Sequence, residues 1–415
     1  MKKALLILIG CSIAVICTAV IIWQHSFWFK RTIKIGLLHS QTGPMAINEQ
    51  RLLNAELMAI DEINAQGGIH GRKLQPIIAN GASDELTFEK EALRLITQEK
   101  VEVLVGCWLS AGRKRVKDVV EKYNNLLLYP VNYEGLEESH NIMYSGATPN
   151  QYIIPGVTWC FNNVGKRFFL IGTDSLISHA LHKIIEMHVL ALDGEIVGQQ
   201  YIKVNEKITG NHIQKILESN PEMIINTING DTNISFFREL LQAGISSEQV
   251  PTMSVRMSQA DFDQFELKSI IGAYVLFNYA AESQYPFNIR FIENYKKRYG
   301  KDARIGESGQ SAYSIVHMWA QAYQQAESSK PEDIIPIMKR LTYQSPSGII
   351  YFAENQNCWQ DSIISKLAYN GDLMPIWKSV GNIRPEIYPA YLTKNEWNDF
   401  LTSLYEGWGK RWSAP

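Results

Sequence analysis

Three β-type runs in this chain end in loops that carry its most suggestive side chains. Val101-Glu102-Val103-Leu104-Val105 leads into Gly106-Cys107-Trp108-Leu109-Ser110. Leu126-Leu127-Leu128 leads into Tyr129-Pro130-Val131-Asn132-Tyr133-Glu134-Gly135. Ile142-Met143-Tyr144 leads toward Gly146-Ala147-Thr148-Pro149-Asn150-Gln151. Hydroxyls and amides both donate and accept hydrogen bonds, and aromatic rings offer flat walls. In an open α/β sheet, ligands bind just beyond the carboxyl ends of the strands. The stretch therefore reads as a cleft for a small polar molecule, with Trp108, Ser110, Tyr129 and Val131 as candidate wall residues and no catalytic group among them.

Signatures of other chemistry are missing from the sequence. There is no G-x-x-x-x-G-K-[ST] and no G-x-G-x-x-G after a strand, so no phosphate cradle is expected. Gly306-Glu307-Ser308-Gly309-Gln310 comes nearest to a nucleophile elbow, but it lacks the final glycine and follows no clear strand. His179 and His182 could share a helical face, yet no third metal ligand is evident. The five cysteines form no C-x-x-C, and none has a histidine at metal-ligand spacing. Free buried thiols are the expectation, with a Cys160–Cys358 disulfide as the alternative. The sequence thus calls for no cofactor, no metal and no enzymatic activity.

Composition narrows the class. With 415 residues, 46% hydrophobic and 20% charged, the chain is globular and long enough for two or three domains. A formal net charge of -2 gives no argument for nucleic acid. The N-terminus is different. Met1-Lys2-Lys3 precedes an apolar run from Ala4 to Trp23, about 30 Å long as a helix. Trp23, Phe27, Trp28 and Phe29 follow at interfacial depth. Residues 1–30 read as a retained transmembrane anchor. Lipidation at Cys11, after Leu8-Ile9-Gly10, and an ordinary cleaved signal are the alternatives. All three export the remainder, so the expected location is the extracytoplasmic face of the cytoplasmic membrane.

Beyond Lys30, strands alternate with helices, which argues for βαβ units and parallel sheet. Strands are expected at 32–39, 74–79 and 101–105, with helices at 51–65 and 88–98. The pattern then restarts. Strands at 168–171, 196–201, 223–227, 252–255 and 274–277 alternate with helices at 178–190, 212–219 and 234–243. Helices at 286–299 and 311–326 follow, then short strands at 349–352, 363–369 and 374–377. Asn370-Gly371 marks a hairpin between the last two. A helix is expected at 395–412.

Several separated motifs resemble the urea and short-chain amide binding proteins. They are Ile33-Lys34-Ile35-Gly36-Leu37-Leu38-His39-Ser40, Asn54-Ala55-Glu56-Leu57-Met58-Ala59-Ile60, the three loops above, Asn229-Gly230-Asp231, and Arg384-Pro385 with Tyr388. The resemblance implies a type I periplasmic binding protein, Leu/Ile/Val-binding-protein-like. In that α/β fold two Rossmann-like lobes are joined by three crossing strands and trap ligand between them. Lobe one would comprise 32–148 with 278–350, lobe two 149–277 with 351–390, and 391–415 a helical tail. Implied partners are a small polar ligand (urea, amide or amino-acid-like) and an ABC permease. A membrane sensor partner, such as a histidine kinase or cyclase, is the alternative.

The resemblance also assigns roles. The family's serine at Ser110 and tyrosine at Tyr129 contact ligand, although Ser110 could equally cap a helix. Asn229 and Asp231 would reach across the cleft from lobe two, with loop capping as an equal competitor. Departures from the family lie in the facing half. Ser175, in Thr173-Asp174-Ser175, replaces a tyrosine that closes over ligand. Arg256 stands where a small or aromatic residue is usual, and Gln310 where a Glu is usual. Losing a ring opens volume, and an arginine can grip a carboxylate through two parallel hydrogen bonds. The expected ligand is therefore larger than urea and anionic, with pairing of Arg256 to a nearby acid as the competing reading.

Overall fold

The computed structural model describes residues 32–415 except 205, 258 and 327. The expected anchor or signal at 1–30 lies outside the described residues. Among those described, no helix is long and apolar enough to cross a membrane.

The first lobe begins with β1 (Ile33–His39), α1 (Ala46–Ala65), β2 (Leu74–Asn80), α2 (Glu85–Arg94), β3 (Val103–Gly106), α3 (Ser110–Lys122), β4 (Leu127–Tyr129) and β5 (Ile142–Tyr144). Its five strands pair in the order β2-β1-β3-β4-β5, and every pairing is parallel. The second lobe runs through α4 (Ile153–Asn163), β6 (Arg167–Thr173), α5 (Leu176–Ala191), β7 (Glu195–Ile202), α6 (Gly210–Glu218), β8 (Met223–Thr227), α7 (Thr232–Gln242), β9 (Thr252–Ser254), α8 (Leu267–Ile270) and β10 (Tyr274–Phe277). The chain then returns as α9 (Pro286–Tyr299), α10 (Glu307–Ala326), α11 (Pro331–Met338), β11 (Thr342–Ser345) and β12 (Gly348–Tyr351). It crosses again to β13 (Ile363–Leu367) and β14 (Leu373–Lys378) and ends with α12 (Lys394–Gly407). The second sheet has seven strands, β14-β13-β10-β9-β8-β6-β7, with β13 and β14 antiparallel to their neighbours. This is the α/β type I periplasmic binding fold, with three passages between the sheets at 145–152, 278–285 and 352–362.

Strand periodicity explains the layers. Phe168 and Leu170 point to one face of the second sheet and pack with Leu181, Ile184 and Trp397. Phe169 and Ile171 point to the other face and pack with Phe236 and Phe237. Ile33, Ile35, Val103 and Leu128 of the first sheet meet Ile315, Trp319 and Met338 of the returning helices. Each such side chain contributes roughly 1.5–3 kcal/mol on burial. The strands at 142–144, 223–227 and 274–277 and the helix at 286–299 fall where the sequence pattern puts them. The helix α4, whose proline and glycine obscure its period, and the short α11 are additions. The last helix departs from expectation: it stops at Gly407, and Gly409 adopts a φ of 67°. Those glycines release Trp408 to Pro415 from helical geometry. Cys107, Cys160 and Cys358 are free and buried, so no Cys160–Cys358 bond forms.

Candidate functional site

β3 ends at Gly106, whose φ is 143° and where a Cβ would fall 2.1 Å from the Leu38 carbonyl oxygen. Only glycine fits so close an approach. Cys107 follows with a φ of 68°, and the turn sends Trp108 toward the second lobe. Ser110 then opens α3, whose first turn no side chain caps. Ser110 itself is no N-cap. Its Oγ donates to Glu134 Oε2 at 2.6 Å, and Arg113 Nη1 approaches that same Oγ at 3.3 Å.

Arg113 organises this half. It is fully buried, its guanidinium carbon lying 4.9 Å from the ring centroids of both Tyr129 and Tyr133. Nη2 donates to Glu134 at 2.5 Å, and Nε to Glu137 at 2.9 Å. Lys114 adds a second cation to Glu137 at 2.8 Å. Burial alone would raise the Glu137 carboxyl, but Arg113 and Lys114 outweigh it and hold that pKa well below the usual carboxylate range. Tyr129 belongs to this buried layer. Its OH donates to the Trp108 carbonyl at 3.3 Å, and it lines neither of the two cavities described below. Val131 is likewise buried away from the cleft. Both sit behind the wall because their strand and the following turn face the Arg113 cluster.

The facing half comes from β6, β8 and β9. Thr173 ends β6, Asp174 and Ser175 follow it, and Leu176 starts α5, again without a side-chain cap. Ser175 Oγ lies 3.2 Å from the Thr173 carbonyl. Asn229 is 6% exposed, and its backbone N–H donates to Thr173 Oγ1 at 2.9 Å. Its Oδ1 accepts from Arg256 Nε at 3.0 Å, while its Nδ2 has no partner. Asp231 is exposed just before α7. Arg256 differs from the expectation of an open carboxylate grip. Besides Asn229 it donates from Nη1 to the Asn132 carbonyl at 3.1 Å and lies over the Trp108 ring at 5.5 Å. It is a strut between lobes, accompanied by Arg51–Asp261 at 2.6 Å. Glu307, also facing this strut, accepts from the Asn278 N–H and Asn132 Nδ2. Its burial raises the carboxyl to about 7 despite those donors and Arg256.

The uncapped starts of α3 and α5 border one cavity of about 420 Å³. Ser110, Ala111, Ser175, Leu176, Ile177, Asn229 and Asp231 line it, with Pro44, Met45, Ser83, Val204, Ile234 and Arg238. Trp108 and Arg256 instead line a smaller recess near Glu307. Sequence reasoning missed the third wall, made by Trp412, Ser413 and Ala414. The tryptophan-rich end, Trp408-Gly409-Lys410-Arg411-Trp412, was the available signal. His179 binds Asp174 at 2.8 Å and His182 is buried beside Thr227. Among the described residues no cluster of three or more ligating side chains could hold a metal.

Comparisons with known proteins show the family to which a two-lobed cleft of this kind belongs. The family description "periplasmic binding protein domain" matches residues 33–394. A limonene hydroxylase of Geobacillus stearothermophilus is 28% identical over 27% of this chain and 21% of its own length. A leucine-, isoleucine-, valine-, threonine- and alanine-binding protein of Pseudomonas aeruginosa is 31% identical over 24% of this chain and 26% of its own. The chain thus matches only about a fifth to a quarter of the length of these curated relatives. A solute-binding protein of an ABC transporter from R. palustris, solved with 4-hydroxybenzoate, superposes with a TM-score of 0.77. That match covers 86% of this chain and 98% of the other at 18% identity.

Proposed function

Because the chain belongs to the periplasmic binding protein family, matched over residues 33–394, we propose that it is the extracytoplasmic solute-binding component of an ABC importer. Its ligand, on this reading, is a small carboxylate with an apolar body, of amino-acid or aromatic-acid type. One observation carries the proposal: two uncapped helix starts meet at one cavity beside the unpartnered Asn229 Nδ2. The first turn of a helix leaves N–H groups unsatisfied, and the macrodipole adds about half a positive charge there. A carboxylate accepts from such groups, and its charge suits them. Leu109, Leu176, Ile177, Val204 and Ile234 offer apolar surface for the remainder.

Size argues against urea. A cavity of about 420 Å³ has room for on the order of a dozen waters. Urea would leave most of it wet. The 4-hydroxybenzoate of the R. palustris protein and the amino acids named for the P. aeruginosa relative both carry a carboxylate. Closure follows from differential contact, because ligand touching both helix starts favours the closed lobes. Calorimetric titration with urea, acetamide, isoleucine and 4-hydroxybenzoate tests this. Binding of a carboxylate with no urea heat is expected. Tight urea binding with neither carboxylate bound overturns it.

A further inference from the structure

We propose that the C-terminal tail, residues 410–414, is part of the ligand site: it forms the outer wall through Trp412 and clips the second lobe to the first through Glu85, so solute leaves only when the tail lifts. The role in solute release rests on the cleft reading above; the clip itself does not.

The tail is rooted in lobe two. Trp397 of α12 is fully buried and donates from Nε1 to the Pro389 carbonyl at 2.9 Å. Trp408 meets His179 of α5 edge-on, with ring centroids 5.3 Å apart. The Lys410 N–H still donates to the Tyr405 carbonyl of α12 at 2.8 Å, and from Arg411 to Ser413 the tail's hydrogen bonds go to Asp84 and Glu85 of lobe one. Arg411 Nε and Ser413 Oγ each donate to Glu85 Oε1 at 3.0 Å, and the Trp412 N–H donates to Oε2 at 3.0 Å. Arg115 supplies a fourth donor to Oε2 at 3.1 Å and also holds the Lys410 carbonyl at 3.0 Å. Lys114 lies 5.2 Å from the Trp412 ring centroid.

Four donors on one carboxylate whose side chain is 0% exposed make a built socket. Burial disfavours the Glu85 charge, yet the Trp412 N–H, Arg411, Ser413 and Arg115 together bring its pKa below the usual carboxylate range. Trp412, Ser413 and Ala414 meanwhile face the cavity that Ser110, Ser175 and Asn229 line. The family domain ends at residue 394, so this wall lies beyond the matched domain. A tail fixed to lobe two and socketed in lobe one must release Glu85 before the lobes part.

Hydrogen exchange and solute release test the proposal in the full chain, using three variants: a chain ending at Gly409, Glu85→Ala and Trp412→Ala. Without added solute, the first two variants are expected to exchange about tenfold faster at residues 109–112 and 173–177, with α12 protection unchanged as evidence of folding. Native exchange rates at both helix starts in both variants would overturn the clip. With isoleucine and 4-hydroxybenzoate as probes, Trp412→Ala is expected to release the bound probe about tenfold faster. Unaltered release would overturn the wall. If neither probe binds the native protein, the carboxylate reading falls, while the exchange measurement still decides the clip.

Discussion

Arg256 is laid across Trp108: its guanidinium carbon is 5.5 Å from the ring, and its Nη1 donates to the Asn132 carbonyl 3.1 Å away. One residue follows a lobe-two strand and the other a lobe-one strand, so the pair forms only with the lobes together. Arg256→Ala is expected to cost about 1–3 kcal/mol of closure, weakening charged and uncharged solutes alike. Lysine should rescue little, because it cannot serve Asn229 and Asn132 through a planar fork. Calorimetry with matched acid and amide probes checks this; loss confined to the acids would restore Arg256 as a direct grip.

Asn229→Asp separates binding from architecture. The substitution keeps an acceptor for Arg256 but replaces the unpartnered Nδ2 donor with a negative oxygen. Carboxylate affinity should fall by roughly ten- to a hundredfold, about 1–3 kcal/mol. The melting temperature should hold or rise, since the new carboxylate pairs with Arg256. A carboxylate probe bound with native affinity would remove Asn229 from the site.

Glu307 makes stability depend on pH near neutrality. Burial raises its folded pKa from 4.5 to about 7. Its contribution is therefore fully present below about pH 4.5 and is lost as pH rises through about 7. The expected loss is about 3 kcal/mol at full effect. Denaturant unfolding at pH 5 and pH 8 should show the decline, and Glu307→Gln should flatten it.

Glu137 has the opposite sign. Its folded pKa lies well below its ordinary 4.5, because Arg113 and Lys114 overcome the burial penalty. The stabilisation is present above about pH 4.5 and disappears as pH falls further. Glu137→Gln should blunt acid unfolding. Arg113→Met should be severe, about 3–5 kcal/mol, because it strands the buried Glu134 without its cation and leaves Glu137 with Lys114 alone. Thermal denaturation between pH 3 and pH 7 reads both.

The alternation of strands and helices was legible because helices bury one apolar stripe while the strands, covered on both faces, read as short apolar runs. Ile33, Ile35 and Leu37 announce a strand whatever lies next to them. The loops after β3, β6 and β8 were legible as a cleft for the same local reason, since strand ends in such sheets point at ligand. Tyr129 shows where this fails. Its position beyond Leu128 is local, but its direction is set by Arg113, sixteen residues earlier, whose charge needs both Glu134 and Glu137. The local sequence of Arg256 suggests a free cation; only the approach of Trp108 and Asn132 makes it a strut.

By itself, the sequence determined the elements, their α/β order and the loops that meet at the cleft. Those depend on periodicity and turn chemistry, which act over a few residues. The tertiary structure decided which side chains face the cavity. It also decided that Trp412 closes it beside Glu85, more than three hundred residues away in the chain. That contact arises because Trp397 docks α12 on lobe two while the glycines after it free the last residues to reach lobe one.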